Sequence, residues 1–156
     1  MKMIDVGAKP RTERVAVARG FVAMAPATVA RIRRGDVEKG DVLAAARLAG
    51  IMAAKKTPEL VPLCHPVALS AVDVAAEPRP GGVEVTATVR TVDRTGVEME
   101  ALAAVAAGCL TVYDMLKRYE RGMRIEAVEL LRKSGGRSGD WRRPAPKRGA
   151  RSARTT

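Results

Sequence analysis

Val83-Glu84-Val85-Thr86-Ala87-Thr88-Val89-Arg90 alternates apolar and polar residues without a break. A period of two sends successive side chains to opposite faces of a strand, so residues 83–92 predict a strand with Val83, Val85, Ala87 and Val89 on its buried face. Just upstream, Pro78-Arg79-Pro80-Gly81-Gly82 carries the residues of a turn. Residues 67–77 alternate less evenly and read as the partner strand of an antiparallel hairpin.

Outside the hairpin the period changes. After Asp93-Arg94-Thr95-Gly96, the residues Leu102, Val105, Ala106, Cys109, Leu110, Val112, Tyr113 and Leu116 form a wide apolar stripe. They predict a helix from 97 to about 121, stopped by Gly122, with a last strand over 123–131. On the other side, residues 13–24 read as a strand, with Gly20 as a possible irregularity, and Pro26 opens a helix that runs to 34. Asp41 suits the cap of a further helix over 42–55, whose apolar face is Leu43, Ala46, Leu48, Ala49, Ile51 and Met52. The order strand, helices, strand, strand, helix, strand predicts an α+β, ferredoxin-like (split βαβ) fold: a four-stranded antiparallel sheet with helices packed on one face.

With 156 residues, one domain over 1–141 is expected. Hydrophobic residues make up 47% but aromatics only 3%, so the core must be built from Ala, Val, Leu, Ile and Met. The first residues lack the apolar segment of a secretion signal, and no apolar run approaches the roughly 20 residues of a membrane span, so a cytoplasmic protein is expected. Cys64 and Cys109 have no metal-ligand spacing and form no disulfide framework, and neither a metal nor a cofactor is expected. The net charge is +11, but six of the cations fall in residues 142–156, leaving +5 for 1–141. That basic tail has too little apolar surface to order itself and is predicted to be disordered. The charge on the rest favours an anionic ligand, a nucleoside triphosphate as well as a polynucleotide.

Chemistry is expected first at Thr57-Pro58-Glu59-Leu60-Val61-Pro62-Leu63-Cys64-His65-Pro66, which holds the only histidine. Its three prolines predict a stiff, non-helical connector, although a plain proline-rich turn explains it equally well. Asp114 and Lys117, three apart, share a helix face and can pair, as solvated helix residues also do. Glu98 and Glu100 either bind a ligand or decorate a helix N-terminus, and Lys55 complements the end of the helix before the connector. Glu100 and Asp114 share a face yet lie about 21 Å apart along the axis at 1.5 Å per residue. A compact site using both needs a long ligand or two subunits. Lys133-Ser134-Gly135-Gly136-Arg137-Ser138-Gly139-Asp140 could cradle phosphate through its backbone, or could be a flexible exit to the tail.

In combination these pieces resemble one family. Lys39-Gly40-Asp41-Val42, Ala44-Ala45-Ala46-Arg47-Leu48-Ala49-Gly50-Ile51, Ala53-Ala54-Lys55-Lys56-Thr57, Leu63-Cys64-His65-Pro66, Thr95-Gly96-Val97-Glu98-Met99-Glu100-Ala101-Leu102, Thr111-Val112-Tyr113-Asp114-Met115 and the 133–140 stretch are similar to MoaC, the cyclic pyranopterin monophosphate synthases of molybdenum cofactor biosynthesis. The similarity runs in order from about Ile4 to Asp140, and the basic tail departs from it.

The resemblance implies a lyase that converts (8S)-3',8-cyclo-7,8-dihydroguanosine 5'-triphosphate to cyclic pyranopterin monophosphate and releases pyrophosphate, downstream of a radical enzyme. It also implies a homohexamer, a trimer of dimers, with sites between protomers. Carried onto this chain, it makes Asp114, Lys117, Lys39 and His65 catalytic. Leu63, Cys64, His65, Met99, Glu100, Glu98, Lys55 and Lys133 would bind the substrate, the lysines at the triphosphate and the glutamates at the guanine edge. Two other readings remain open. A small basic ferredoxin-like domain is also an RNA-binding architecture, but such recognition needs aromatic platforms and only Phe21 falls on a predicted strand. The other is a scaffold for a partner enzyme of the same pathway.

Overall fold

The computed structural model describes residues 1–145 of the 156. Strand β1 (Thr12–Ala23) leads to helices α1 (Pro26–Arg33) and α2 (Val42–Lys55) and a one-turn helix α3 (Thr57–Leu60). The hairpin β2 (Leu69–Arg79) and β3 (Gly82–Asp93), the long helix α4 (Glu98–Leu116), β4 (Arg124–Ser134) and the short β5 (Trp141–Arg142) follow. Among the described residues the strands form one sheet in the order β2-β3-β1-β4-β5, every neighbouring pair antiparallel.

The expected alternation of β3 holds: Val83, Val85, Ala87 and Val89 are all 0 to 1% exposed. Arg79 pairs with Gly82, so only Pro80 and Gly81 form the turn, and Gly81 takes the left-handed conformation (φ 79°) that such a turn requires of its second residue. Pro78 lies inside β2, where the sheet edge tolerates its missing N–H. Asp41 caps α2 as predicted, its carboxylate accepting from the N–H groups of Leu43 and Ala44 at 3.0 Å.

Small residues let the layers approach closely. A Cβ on Gly20 of β1 would lie 2.7 Å from Val105 and 2.9 Å from the Cys109 sulfur of α4. Between the helices, a Cβ on Gly50 would meet the Ala104 carbonyl at 3.0 Å, and one on Gly108 would meet that of Ala46 at 3.3 Å. Helices α2 and α4 therefore run antiparallel, packed against each other and against the sheet face that carries Ala16, Ala18, Val85 and Ala87. The helical stripes are wider than the core they cover: Leu48, Met52 and Leu110, expected on buried faces, are more than half exposed.

Three expectations are corrected. The sheet has five strands rather than four, because β4 continues to Ser134 and Trp141–Arg142 pairs back onto Lys133 and Arg132. Arg142 and Arg143, assigned from sequence to the tail, belong to this addition: Arg143 donates from its backbone to the Leu131 carbonyl and from its side chain to the Leu130 carbonyl, both at 2.8 Å. Residues 146–156 of the predicted tail lie outside the described residues. The connector after α2 is not wholly non-helical, since Pro58 sits in the first turn of α3, where its missing N–H costs nothing. Finally, α4 is by length and composition long and apolar enough to cross a bilayer, contrary to the sequence reading, but half of it is buried in this fold.

Candidate functional site

Strand register and helix direction sort the expected site residues into two groups. The end of β3, the start of β1 and the end of β4 lie together, because Thr12 pairs with Asp93 and Ala16 with Lys133. The start of α4 follows β3 directly, and the antiparallel α2 brings Lys55 to the same end. Glu98, Met99, Glu100, Leu63, Cys64, His65, Lys55 and Lys133 therefore belong to this end of the molecule. Asp114, Lys117 and Lys39 lie at the opposite end of α4.

At the far end, the Asp114 carboxylate is held between two ammonium groups. Lys39 Nζ lies 2.6 Å from Oδ2 and 3.2 Å from the Asp114 carbonyl, and Lys117 Nζ lies 2.7 Å from Oδ1. Lys39 comes from the α1–α2 connection, whose Gly40 takes a left-handed φ of 99° before Asp41 caps α2. Hydrogen bonds from Lys117 and Lys39 draw the Asp114 carboxyl down to about 2, so it is ionised at neutral pH. All three side chains are about half exposed, so each pair taken singly contributes little to stability.

The near end is drier. Glu100 is 2% exposed; one carboxylate oxygen lies 3.6 Å from the Cys64 sulfur and the other, Oε2, is buried with no hydrogen-bond partner among the described residues. Burial raises the Glu100 pKa, and the neighbouring Glu98 charge adds to the rise against the opposing effects of hydrogen bonds from Cys64 and the backbone. The Cys64 thiol is pushed up to about 11 by burial and by Glu100, so it stays a neutral donor. Glu98 folds back over Gly96, while Leu63 and Met99 are exposed beside this carboxyl pair. His65 is half-buried on the connector, and its carbonyl accepts from the Cys64 thiol at 3.7 Å. Lys55 lines a shallow depression of about 250 Å³ with Ile51 and the start of β2.

Lys133 is wrapped by the glycine-rich stretch that follows it: its ammonium donates to the Ser138 hydroxyl and, at 2.5 Å, to the Gly139 carbonyl. Next to this loop is a cleft of about 410 Å³ lined by Lys9, Thr12, Arg14, Gly136 and Arg137. Thr12 and Arg14 keep the parity of Ala16 and Ala18, so they face the helix side of the sheet. Thr12 Oγ1 and Arg14 Nε are buried there without partners among the described residues. Three cations and two unsatisfied donors make the cleft suited to a phosphate chain. Sequence reasoning missed Lys9 and Arg14, whose only signal is charge flanking a strand start, and named Arg137 only as part of the glycine-rich stretch, without a role for its side chain.

The MoaC family model matches residues 3–136. The chain belongs to the MoaC family. Among its relatives, a cyclic pyranopterin monophosphate synthase of Thermomicrobium roseum is 58% identical over 144 residues, covering 91% of this chain and 87% of that protein. Proteins of the same description from Roseiflexus sp. (58% identical, 90% of each chain) and Methylobacterium nodulans (59% identical, 88% of this chain and 87% of that protein) match comparably. The MoaC match contains both ends of α4, the Lys133 loop up to Gly136, and Lys9 and Arg14 of the cleft. It stops short of β5.

Proposed function

We propose that this chain is a cyclic pyranopterin monophosphate synthase, a lyase that takes (8S)-3',8-cyclo-7,8-dihydroguanosine 5'-triphosphate to cyclic pyranopterin monophosphate and pyrophosphate in molybdenum cofactor biosynthesis. Its substrate comes from an upstream radical enzyme. The observation that carries the reading is the Asp114 carboxylate clamped between Lys39 and Lys117, within a chain whose relatives bear that name.

The reaction must move protons at a purine nitrogen and a sugar carbon. An aspartate held at about 2 carries no proton near neutrality, so the protons this set delivers are those of the two ammonium groups. Asp114 orients them. At the other end, buried Glu100, with one carboxylate oxygen unpartnered, suits the N–H edge of a guanine, with Glu98 and Met99 beside it and His65 and Leu63 on the connector. The triphosphate fits the Lys9–Arg14–Arg137 cleft next to Lys133, where fixed cations stabilise the charge that develops as pyrophosphate leaves. Lys55 adds a further cation at this end.

The two groups are about 21 Å apart along α4 in one chain. A site shared between protomers of a trimer of dimers brings them together, and exposed Leu48, Met52 and Leu110 are the apolar surface that such contacts would cover. The order β2-β3-β1-β4, with α4 leading into β4, supports a ferredoxin-like core extended by β5.

Pure protein incubated with the cyclised nucleotide releases pyrophosphate if the reading is right, and folded protein that releases none rejects it. At substrate well below KM, oligomers assembled from Asp114→Asn and Glu100→Gln subunits together recover activity above that of either variant alone if the site is shared. Failure to recover any would place a complete site in one chain.

A further inference from the structure

We propose that Tyr119 is a positioning residue for this reaction: from the turn after α4 it fixes the loop that carries Lys39, and thereby sets the Lys39 ammonium on the Asp114 carboxylate. The inference rests on the reading of Lys39, Asp114 and Lys117 as the proton-transfer set.

Lys39 arrives on the connection between α1 and α2, which contains no regular element, and glycines with left-handed φ (Gly35, 67°; Gly40, 99°) stand near its two ends. A lysine ammonium on a flexible four-carbon stem is only as well placed as the backbone beneath it. Contacts from the chain on either side hold that backbone. The Tyr119 phenol oxygen accepts from the Glu38 N–H at 2.9 Å, one residue before Lys39. Arg118 pairs with the Glu38 carboxylate. Arg31, in the last turn of α1, places its guanidinium 4.4 Å from the centre of the Tyr119 ring. The same guanidinium grips the start of the loop, at 2.5 Å from the Asp36 carboxylate and 3.2 Å from its carbonyl.

Tyr119 joins both sides, its ring against Arg31 and its hydroxyl on Glu38. It is itself braced, half-buried against the core with its N–H donating to the Leu116 carbonyl at 2.8 Å. Because reacting groups lose rate steeply with small displacements, a loop released at Glu38 lowers turnover without touching the substrate.

Tyr119→Phe in the full chain keeps the ring and removes the hydroxyl that accepts from the Glu38 N–H. The measurements are kcat and KM with the cyclised nucleotide, Tm, and a carbon-13 titration of the Asp114 carboxyl, which Lys39 and Lys117 contact directly. The expected result is a kcat lower by about tenfold with KM and Tm unchanged. The Asp114 titration moves upward from about 2 as Lys39 loosens. An unchanged kcat with an unchanged titration overturns the proposal, whether or not Tm falls. Lys39→Ala serves as the control: full activity there removes the proton-transfer reading on its own, while the Asp114 titration in Tyr119→Phe still reports whether Tyr119 holds the contact.

Discussion

Helix α4 carries three carboxylates, and the fold treats two of them, Glu100 in its first turn and Asp114 in its last, in opposite ways. Glu100 is buried against Cys64 with an unpartnered oxygen, and loss of water raises its pKa. Asp114 stands half exposed between two lysines, whose hydrogen bonds lower its pKa to about 2. The residue types predict neither shift. Each follows from what surrounds the group: a dry pocket favours the neutral acid, and paired cations favour the anion. On the proposed function, the buried end would recognise substrate by hydrogen bonding and the solvated end would hold the amines that move protons.

The sharpest way to break this comparison is Asp114→Asn. Turnover should fall by at least about 100-fold, the range of lost acid–base catalysis. Tm should hardly change, because the side chain is exposed and its pairs contribute little. Near-normal product formation would remove Asp114 from the mechanism.

Glu100→Gln probes the other end and should act on binding and on the pH dependence of stability. Replacing the carboxyl by an amide can set a donor against the guanine N–H, and a buried group left unpaired costs about 1–3 kcal/mol, so KM should rise by about tenfold. For stability, the sign follows from the raised pKa. The contribution of Glu100 is fully present below its unfolded pKa and is lost as pH rises through the folded value. Gln escapes that loss, so the Tm of the variant relative to the native protein should climb as pH rises from the unfolded carboxylate range through the raised folded value. A flat difference across that range would mean the carboxyl is not desolvated.

The smallest effect separates the strand that backs the Glu100 end from the chain beyond it. Ending the chain after Trp141 removes the Arg143 hydrogen bonds to the Leu130 and Leu131 carbonyls and should cost about 1 kcal/mol in denaturant unfolding. Ending it after Ala145 should leave both stability and turnover unchanged. Equal stability of the two truncations would show that β5 adds nothing to the sheet.

Much of the architecture was legible beforehand because local patterns carried it. The alternation from Val83 to Val89 and the Asp41 cap are short-range signals that the tertiary structure had no reason to override, and the apolar stripe located α4, although the helix ends at Leu116 rather than near residue 121 and leaves Leu110 exposed. Trp141–Arg142 was not legible, since two residues have no period and become a strand only by pairing with Lys133 and Arg132. The Pro58 turn was misread because proline is hostile to a helix interior but not to a first turn. Of the site, Asp114 and Lys117 were readable as a pair from their spacing. Lys39 came only from the family resemblance, and its contact with Asp114, 75 residues away, had no local signal. Lys9, Arg14 and Arg137 converge only because β1, its preceding segment and the 133–140 loop meet at one sheet corner.

The sequence by itself determined the types of the longer elements, the small-residue core and, through its motifs, the MoaC family. Those depend on neighbours along the chain, where period, capping and residue size act directly. Only the tertiary structure decided that the site residues form two groups at opposite ends of α4, which carboxyl is dry and which is solvated, and that a cationic cleft opens beside Lys133. These are set by groups distant in the chain, and desolvation and charge pairing depend on distance through space.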